Sequence, residues 1–265
     1  MEISITKTTT PKQKPADESK LGFGQYYTDH MFIMNYDEGE GWHNPRIVPY
    51  GPFELDPAAM VLHYAQEIFE GMKAYRTADG SIQLFRPDKN MARMNVSCDR
   101  LCIPKIDEEF AIKAIKTLVE VDKDWVPSKH LTFAIILSPV GAYYPQGIAP
   151  VKIFVEQKYV RAVIGGTGFT KAGANYAISL KGQEEAAEQG YVQTLWLDGV
   201  ERKYVEEVGS MNVFFKIDGE VVTPALVGSI LGGITRMSII ELLQSKGYKV
   251  SERRLSIDEL VEAFK

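Results

Sequence analysis

The chain has 265 residues, of which 45% are hydrophobic and 25% charged, and its formal net charge is −5 at pH 7. This composition is typical of a globular protein with enough apolar material for a sizeable core. The acidic balance and the lack of a long basic run argue against a nucleic-acid partner, and no apolar run reaches the length that crosses a bilayer.

Residues 1–20 predict a polar, flexible arm at the N-terminus. The arm has no apolar stretch of the kind that a secretory signal contains, so we expect a cytoplasmic protein. Further along, Cys98 and Cys102 are four residues apart, a helical spacing that suits neither a disulfide nor, by itself, a zinc site. We interpret both as reduced thiols, and we expect no bound metal.

Short strands and helices alternate in the first half of the chain. Residues 23–42 predict a strand that ends in a Gly-rich hairpin turn. The Asp-Pro pair at 56–57 predicts a helix start, and "SIQLFRPDKNMARMNVSCDRL" predicts a short strand and then a helix from about Asp88. Residues 107–126 have apolar side chains at helical spacing and predict an amphipathic helix, while residues 131–140 predict a buried strand.

The Gly and Pro residues of "GAYYPQGIAP" predict a linker, residues 143–150, between an N-terminal domain of residues 1–142 and a C-terminal domain of residues 151–265. In the second domain we expect strands at "VKIFVEQ" and "YVRAVIG", a helix at "YAISLKGQEEAAEQG", and strands at "QTLWLDG" and "NVFFKIDGEVVTP". The turn "LGGITR" then enters a helix, and a strand at "YKVSERRLS" precedes a last helix at "IDELVEAFK".

A Gly-rich loop, "GGTGFTKAGANY", holds a single lysine, Lys171, just before a helix. A lone loop lysine is usually a solvated surface charge, and the loop alone leaves that reading open. A lysine that forms a Schiff base needs a desolvated or electrostatically tuned site, in which its amine is nucleophilic near neutral pH. Glycines let the backbone approach a ligand, and Asn175 and Tyr176 supply polar groups at fixed offsets.

Two further motifs have the polarity that a pyridoxal phosphate site requires. In "VERKYVEEVGSMNVFF" the pair Glu206 and Glu207 offers a carboxylate for a pyridine nitrogen, which makes the ring an electron sink, although each glutamate alone reads as a surface charge. The turn in "SILGGITRMSII" leads into a helix whose free N–H groups suit a phosphate. Arg86 and Arg93 are candidate cations for the same phosphate.

Together these motifs resemble the class IV, fold type IV pyridoxal-phosphate aminotransferases, and closely the branched-chain amino acid aminotransferases. The resemblance covers almost the whole chain through segments such as "FEGMKAYR", "LFRPDKNMARM", "SPVGAYY", "TKAGANY", "EEVGSMN" and "SILGGITR". It implies a mixed α/β fold with a small N-terminal α/β domain and a larger cofactor-binding C-terminal domain with a β-barrel-like core.

The resemblance implies pyridoxal 5'-phosphate as the cofactor and assigns its contacts. Lys171 is the catalytic residue, which bonds the cofactor and carries a proton at the substrate. Tyr176 binds the phenolic oxygen of the cofactor and Glu207 its pyridine nitrogen, while Ser210 stands where the family often has threonine. The implied cofactor-binding residues are Arg93, Lys171, Tyr176, Glu207, Ser210, and Ile234 and Thr235 through their backbone amides.

Four aromatic residues are implied as walls of the substrate pocket: Phe23, Tyr64, Phe69 and Tyr143. Aromatic walls suit a branched aliphatic side chain, because such a side chain binds mainly by burial of apolar surface. The spacing of these aromatics alone favours plain core packing, and that alternative stays open.

The implied activity is transfer of the amino group of L-leucine, L-isoleucine or L-valine to 2-oxoglutarate, by a ping-pong mechanism through pyridoxamine phosphate. The resemblance also implies a homodimer. One alternative is another class IV transaminase or lyase, for example one that acts on D-amino acids. A second is a truncated chain that binds cofactor or a partner without turnover.

Two stretches depart from the family pattern. After Pro127 a helix runs into a core strand through very few residues, and the last helix stops at Lys265. We expect that family segments contributing substrate and phosphate contacts are missing at both places. Milder departures are Ala174, where the family usually has glycine, and Gly232, where it usually has proline.

Overall fold

The structure is a computed structural model that describes residues 1–17, 21–22, 24–126, 132–133, 137–138 and 149–264. The chain divides into two compact units. The first contains Met1–His63, Phe69–Asp99 and Pro104–Ala149, and the second contains Tyr64–Ile68, Arg100–Ile103 and Pro150–Lys265. Two short segments of the N-terminal half thus belong to the second unit, and most of the predicted linker, residues 143–148, lies outside the described residues.

A three-stranded sheet forms one layer of the first unit. Its strands are β1 (Ser4–Ile5), β2 (His30–Asp37) and β3 (Gly41–Pro49), in the order β1-β3-β2. β2 and β3 are antiparallel and joined by a tight turn, in which Gly39 and Gly41 have φ of 92° and 80°. These left-handed conformations favour glycine, so the Gly-rich sequence places the hairpin where it was predicted.

Residues of the N-terminal arm between 4 and 12 form hydrogen bonds with later parts of the first unit, and the predicted flexibility of the arm stays a prediction. β1 pairs in parallel with β3, and the backbone N–H of Thr8 donates to Nε2 of the buried His30 at 2.9 Å. The backbone N–H of Lys12 donates to Asp29 at 2.7 Å, and its Nζ donates to the carbonyl of Thr28 at 2.7 Å. The polar groups of Thr8 and Lys12, which the sequence suggests are solvated, thus attach the arm to the rest of the unit through hydrogen bonds.

Two helices of the first unit follow the sequence prediction closely. α2 (Pro87–Arg100) begins one residue before Asp88, and α3 (Glu108–Val121) is capped by Asp107, whose side chain accepts from the N–H of Phe110 at 2.6 Å. The apolar face of α3 packs on β2, which buries it as its periodicity requires. The buried side chains of α3 are Phe110, Ala111, Ala114, Ile115, Leu118 and Val119.

The remaining elements of the first half are short. α1 (Met60–Tyr64) ends where Ala65 adopts φ of 49°, and β4 (Ala74–Arg76) pairs with β5 (Ile82–Leu84). The predicted strand over residues 131–140 is described only in part, as β6 (Thr132–Phe133) and β7 (Leu137–Ser138), which pair antiparallel. Among the described residues, no helix is both long enough and apolar enough to span a membrane.

The first sheet of the second unit has the strand order β10-β9-β8, and its strand β10 contains Glu206 and Glu207. β8 (Ile153–Val155) is parallel to β9 (Gln193–Leu197), and α4 (Ala174–Ala177) and α5 (Leu180–Glu188) lie between them in sequence. β10 (Val205–Val208) pairs antiparallel with β9. All four residues of β10 are buried, so its two glutamates are not the surface charges that each glutamate alone would suggest.

The second sheet has the order β11-β12-β13. β11 (Phe215–Ile217) and β12 (Glu220–Pro224) form a hairpin. β12 is parallel to β13 (Lys249–Arg253), and α6 (Ile234–Ser245) lies between these two strands in the sequence. α7 (Ile257–Glu262) follows, capped by the Ser256 hydroxyl. The single strand predicted over residues 212–224 is therefore a hairpin, since Asp218 and Gly219 take the left-handed turn conformations. The β-barrel-like core stays a prediction.

Candidate active site

The loop before Lys171 is closed by the side chain of Asn175. Its Nδ2 donates to the carbonyls of Thr167 at 2.8 Å and Thr170 at 2.9 Å, and its Oδ1 accepts from the Thr167 hydroxyl at 2.7 Å. Asn175 is buried, and these contacts of its side chain stabilise the loop. The loop in turn fixes the backbone from which Lys171 projects.

Lys171 and Tyr176 are directly joined. Nζ of Lys171 donates to the hydroxyl oxygen of Tyr176 at 2.8 Å, because the first residues of α4 bring the tyrosine back over the lysine. At Gly173, between them, an added Cβ would collide with the carboxylate of Glu67, so the Glu67 side chain would have to shift. The lysine and tyrosine that lie close together in the sequence therefore also place their amine and phenol groups in direct contact.

Glu207 presents a fixed, buried carboxylate. It is 3% exposed, and its Oε1 accepts from the backbone N–H of Leu231 at 2.8 Å and lies 3.6 Å from Nη2 of Arg161. Burial raises the pKa of Glu207, and Arg161 and the Leu231 N–H partly offset that rise. Such a carboxylate favours a partner that carries a positive charge or an N–H group.

Arg161 is a site residue that the sequence reading missed. It lies in "YVRAVIG", which was predicted as a strand but forms turns. Its guanidinium is buried, donates to the carbonyl of Ser229 and faces Glu207, while its Nε has no hydrogen-bond partner among the described residues. The sequence did offer one indication of this role, because Arg161 is a single cation inside an apolar run. A charge that is buried in such a run needs a partner of opposite charge or a hydrogen-bond acceptor.

A cavity brings several of the predicted residues together within the second unit. Tyr176, Glu207 and Ser210 line it, and Lys171 is hydrogen-bonded to one of them. Gly168 and Gly209 belong to its wall, where side chains would collide with neighbouring groups. The full lining consists of Arg161, Gly168, Thr170, Asn175, Tyr176, Ser179, Glu207, Gly209, Ser210 and Leu231.

The N-terminus of α6 is open to an anion. Gly233 is the N-cap residue, in extended conformation, and no side chain among the described residues caps the helix there. The amides of Ile234 and Thr235 lie in the first turn, where backbone N–H groups lack intrahelical acceptors and the helix dipole favours negative charge. The turn is tied to the cavity by the hydrogen bond from Leu231 to Glu207.

Arg93 belongs to the first unit and has a partner there. Its Nε and Nη2 donate to the two carboxylate oxygens of Glu70, each at 2.8 Å, and Asn90 donates to the same carboxylate. This bidentate pair fixes the guanidinium on α2. The predicted contact of Arg93 with a phosphate stays a prediction.

The four aromatic residues predicted as pocket walls have different outcomes. Phe23 and Tyr143 lie outside the described residues. Tyr64 and Phe69 are 75% and 42% exposed. The alternative of plain core packing is therefore wrong for Tyr64 and Phe69, and their role in substrate binding stays a prediction.

The chemistry of these groups fits pyridoxal 5'-phosphate. The cofactor carries an aldehyde, a phenolic oxygen, a ring nitrogen and a phosphate. The second unit offers the amine of Lys171, which is hydrogen-bonded to the phenol of Tyr176, and the buried carboxylate of Glu207. It also offers a helix N-terminus without a side-chain cap among the described residues, at Ile234 and Thr235. Each group of the cofactor thus has a complementary partner.

The sequence model of the family described as "Amino-transferase class IV" matches residues 67–264. The chain belongs to this family. It is 54% identical to "Branched-chain-amino-acid aminotransferase 2" of Bacillus subtilis (strain 168), over 99% of this chain and 79% of that protein. It is 55% identical to "Branched-chain-amino-acid transaminase 1" of the same strain, over 98% of this chain and 80% of that protein.

Among solved structures, the class IV chain is similar to the branched-chain amino acid aminotransferase from Thermobaculum terrenum in its PLP-form (holo-form). The two share a TM-score of 0.71 and 21% sequence identity, over 89% of this chain and 80% of the other. At this identity the likeness shows the fold, which is the mixed α/β fold of the type IV aminotransferases.

The alignment with the first Bacillus subtilis relative also measures a difference in length. It spans 287 positions, whereas this chain has 265 residues, so at least 22 positions of it fall opposite a gap in this chain. The sequence predicted a missing segment after Pro127, which lies outside the described residues, and that position stays a prediction.

Proposed function

We propose that this class IV chain is a pyridoxal 5'-phosphate-dependent branched-chain amino acid aminotransferase, which moves the amino group of L-leucine, L-isoleucine or L-valine to 2-oxoglutarate. The observation that carries the proposal is the cavity lined by the buried carboxylate of Glu207 and by Tyr176, whose hydroxyl accepts a hydrogen bond from Nζ of Lys171. Support for the substrate class comes from relatives of that printed name at 54% and 55% identity.

We assign the roles of the residues within this proposal. When bound, pyridoxal phosphate would supply an electron sink for the substrate's α-carbon. Nζ of Lys171 would hold the cofactor and would move the proton at that carbon. Tyr176 orients this amine through its hydroxyl, and Glu207 holds a proton at the ring nitrogen.

Phosphate binding is assigned to the uncapped amides of Ile234 and Thr235, to the hydroxyl of Ser210, and to Arg93 as the cation. Substrate binding is assigned to Phe23, Tyr64, Phe69 and Tyr143, whose apolar rings suit a branched side chain.

The visible absorption spectrum of the purified chain, before and after addition of L-leucine, tests the proposal. We expect a yellow protein whose band shifts toward the ultraviolet with L-leucine, and a Lys171→Ala variant that lacks the original band. A protein that stays colourless with added cofactor would contradict the proposal and favour the alternative of a truncated, inactive chain. Turnover of D-alanine but not L-leucine would identify a D-amino acid transaminase instead.

We also propose a homodimer located in the cytoplasm. The exposed aromatic side chains of Tyr64 and Phe69 support an assembly that covers them. Light scattering should give twice the 29.7 kDa of one chain, and cell fractionation should recover the protein without membranes. A purely monomeric chain would contradict the first part, and a membrane-bound one the second.

A further inference from the structure

A second cavity lies in the second unit, and none of its lining residues lines the candidate active site. Its volume is about 190 Å³. Val205, Glu206 and Ile230 form its buried floor, and the exposed apolar side chains of Ile164 and Val200 form its mouth. The cavity is therefore mostly apolar and open at one end, with the carboxyl group of Glu206 in its buried floor and those of Asp198 and Glu201 also in its lining.

Glu206 has an unsatisfied oxygen in this cavity. Its side chain is 3% exposed, and Oε1 accepts from the hydroxyl of Ser229, whereas Oε2 has no hydrogen-bond partner among the described residues. A buried oxygen without a partner costs about 1–3 kcal/mol, and native proteins keep few of them. Glu206 lines this cavity, whereas its neighbour Glu207 lines the cavity of the candidate active site.

The charges around Glu206 favour a cationic donor. Burial raises its pKa, an effect that the nearby Asp198 adds to, while the Ser229 hydroxyl and the guanidinium groups of Arg161 and Arg254 counteract it. An ammonium group would supply both the missing hydrogen bond and the compensating charge, which a neutral hydroxyl would not.

Arg254 stands at the rim of the same cavity. Its guanidinium lies 3.5 Å from the centre of the Tyr204 ring, and its Nη2 donates to Oε1 of Glu201 at 3.1 Å. The stacking fixes the plane of the guanidinium, and Glu201 uses only one edge of it. The remaining N–H groups can therefore bind a carboxylate.

We propose that this cavity binds a small α-amino acid with an aliphatic side chain, at a site separate from the one around Lys171. The ammonium group binds Glu206, the carboxylate binds Arg254, and the side chain packs on Val205 and Ile230. The size agrees, because an apolar cavity of about 150 Å³ holds benzene, and 190 Å³ suits a ligand of the bulk of valine or leucine.

A hydrogen-bonded chain connects this second amino-acid site with the candidate active site. Ser229 donates through its hydroxyl to Glu206 and accepts through its carbonyl from Arg161, which faces Glu207. The two cavities are thus linked through Ser229 and Arg161.

Equilibrium dialysis with radiolabelled L-leucine tests the proposal, on the full chain carrying Lys171→Ala so that no turnover occurs. Binding at the cofactor site is then common to all variants. Glu206→Gln and Arg254→Gln should each weaken one saturable class of leucine sites by at least about 10-fold, the effect of a lost charge-assisted hydrogen bond. Glu201→Gln should strengthen it, because it frees the guanidinium of Arg254.

Isoamylamine, which is leucine without its carboxylate, separates the two contacts. Its binding should fall with Glu206→Gln but not with Arg254→Gln. Arg254 is a partly exposed rim residue, so its variant gives a result even if Glu206→Gln fails to fold, which near-ultraviolet circular dichroism would show. Leucine binding that is equal in the parent, the Arg254→Gln variant and every other folded variant would overturn the proposal.

Discussion

Glu207 is the residue on which the proposed chemistry depends most after Lys171. Glu207→Gln keeps an acceptor for the N–H of Leu231 but cannot hold a proton at the ring nitrogen. We expect kcat for leucine to fall by about 10²-fold or more, at the lower end of what a positioned proton-transferring group contributes, with a smaller change in KM. Steady-state kinetics measure both. Glu184→Gln, on the exposed face of α5, is the control, and an unchanged kcat for Glu207→Gln would contradict the assigned role.

The sequence predicted those residues of the candidate site that lie close together along the chain, and it missed residues whose contacts are distant in sequence. Lys171 and Tyr176 were predictable because they are five residues apart and the helix start brings them together. Glu207 was predictable as a carboxylate before a Gly-rich turn. Arg161 and Ser229 were not, because their roles arise from contacts with β10 across long sequence separations. The loop contacts of Asn175 were not predicted either, because their partners include backbone carbonyls, which leave no trace in the sequence.

Among the elements, the connection between β9 and β10 is organised by one carboxylate, that of Asp198. Its oxygens accept backbone N–H bonds from Val200, Glu201, Lys203 and Tyr204. Burial by itself raises the pKa of Asp198, but these four donors outweigh it and lower the pKa to about 2. The ionised carboxylate therefore stabilises the folded chain.

Asp198→Asn should lower the free energy of unfolding at neutral pH by about 2 kcal/mol, the equivalent of that pKa difference. Because the folded pKa lies below the ordinary one, the stabilisation is complete above about pH 5 and declines as the pH falls toward 2. Urea denaturation at several pH values measures the difference, which should shrink on acidification. Asp218→Asn, at an exposed left-handed turn position that asparagine tolerates, is the control and should have little effect. A difference that does not vary with pH would contradict the ionic origin.

The packing of α5 on β9 depends on Gly182. A Cβ at this position would lie 2.8 Å from Cη2 of Trp196, whose ring is fully buried and held by a 3.0 Å hydrogen bond from Nε1 to the carbonyl of Gly209. Gly182→Ala should therefore destabilise the chain by about 1–3 kcal/mol through overpacking, although alanine is the better helix former by up to about 1 kcal/mol. Denaturant titration decides the sign. Ala187→Gly, at an exposed position of the same helix, reports helix propensity alone, and a stabilising Gly182→Ala would show that the ring can move.

Elements with a strong periodic pattern were predicted best. α2 and α3 lie within one or two residues of their predicted starts. For α3 the reason is local, because the Asp107 cap and an apolar face define the helix. The single strand predicted before α6 is a hairpin, since the Asp218-Gly219 turn interrupts an apolar run. The arm pairs with β3 and also donates hydrogen bonds to His30 and Asp29, and a polar sequence gives no sign of such distant partners.

For the whole molecule, the division into two units predicts where the cofactor stabilises it. All proposed cofactor contacts except that of Arg93 lie in the second unit. A ligand stabilises only those states that keep its site intact, by about 2.7 kcal/mol at one hundred times its dissociation constant. If the units open separately, bound cofactor should slow amide exchange in β9, β10 and the start of α6 by about 100-fold, and change β2 and β3 little. Hydrogen exchange with mass spectrometry, with and without cofactor, measures this. An equal slowing in both units would mean that they open as one cooperative body.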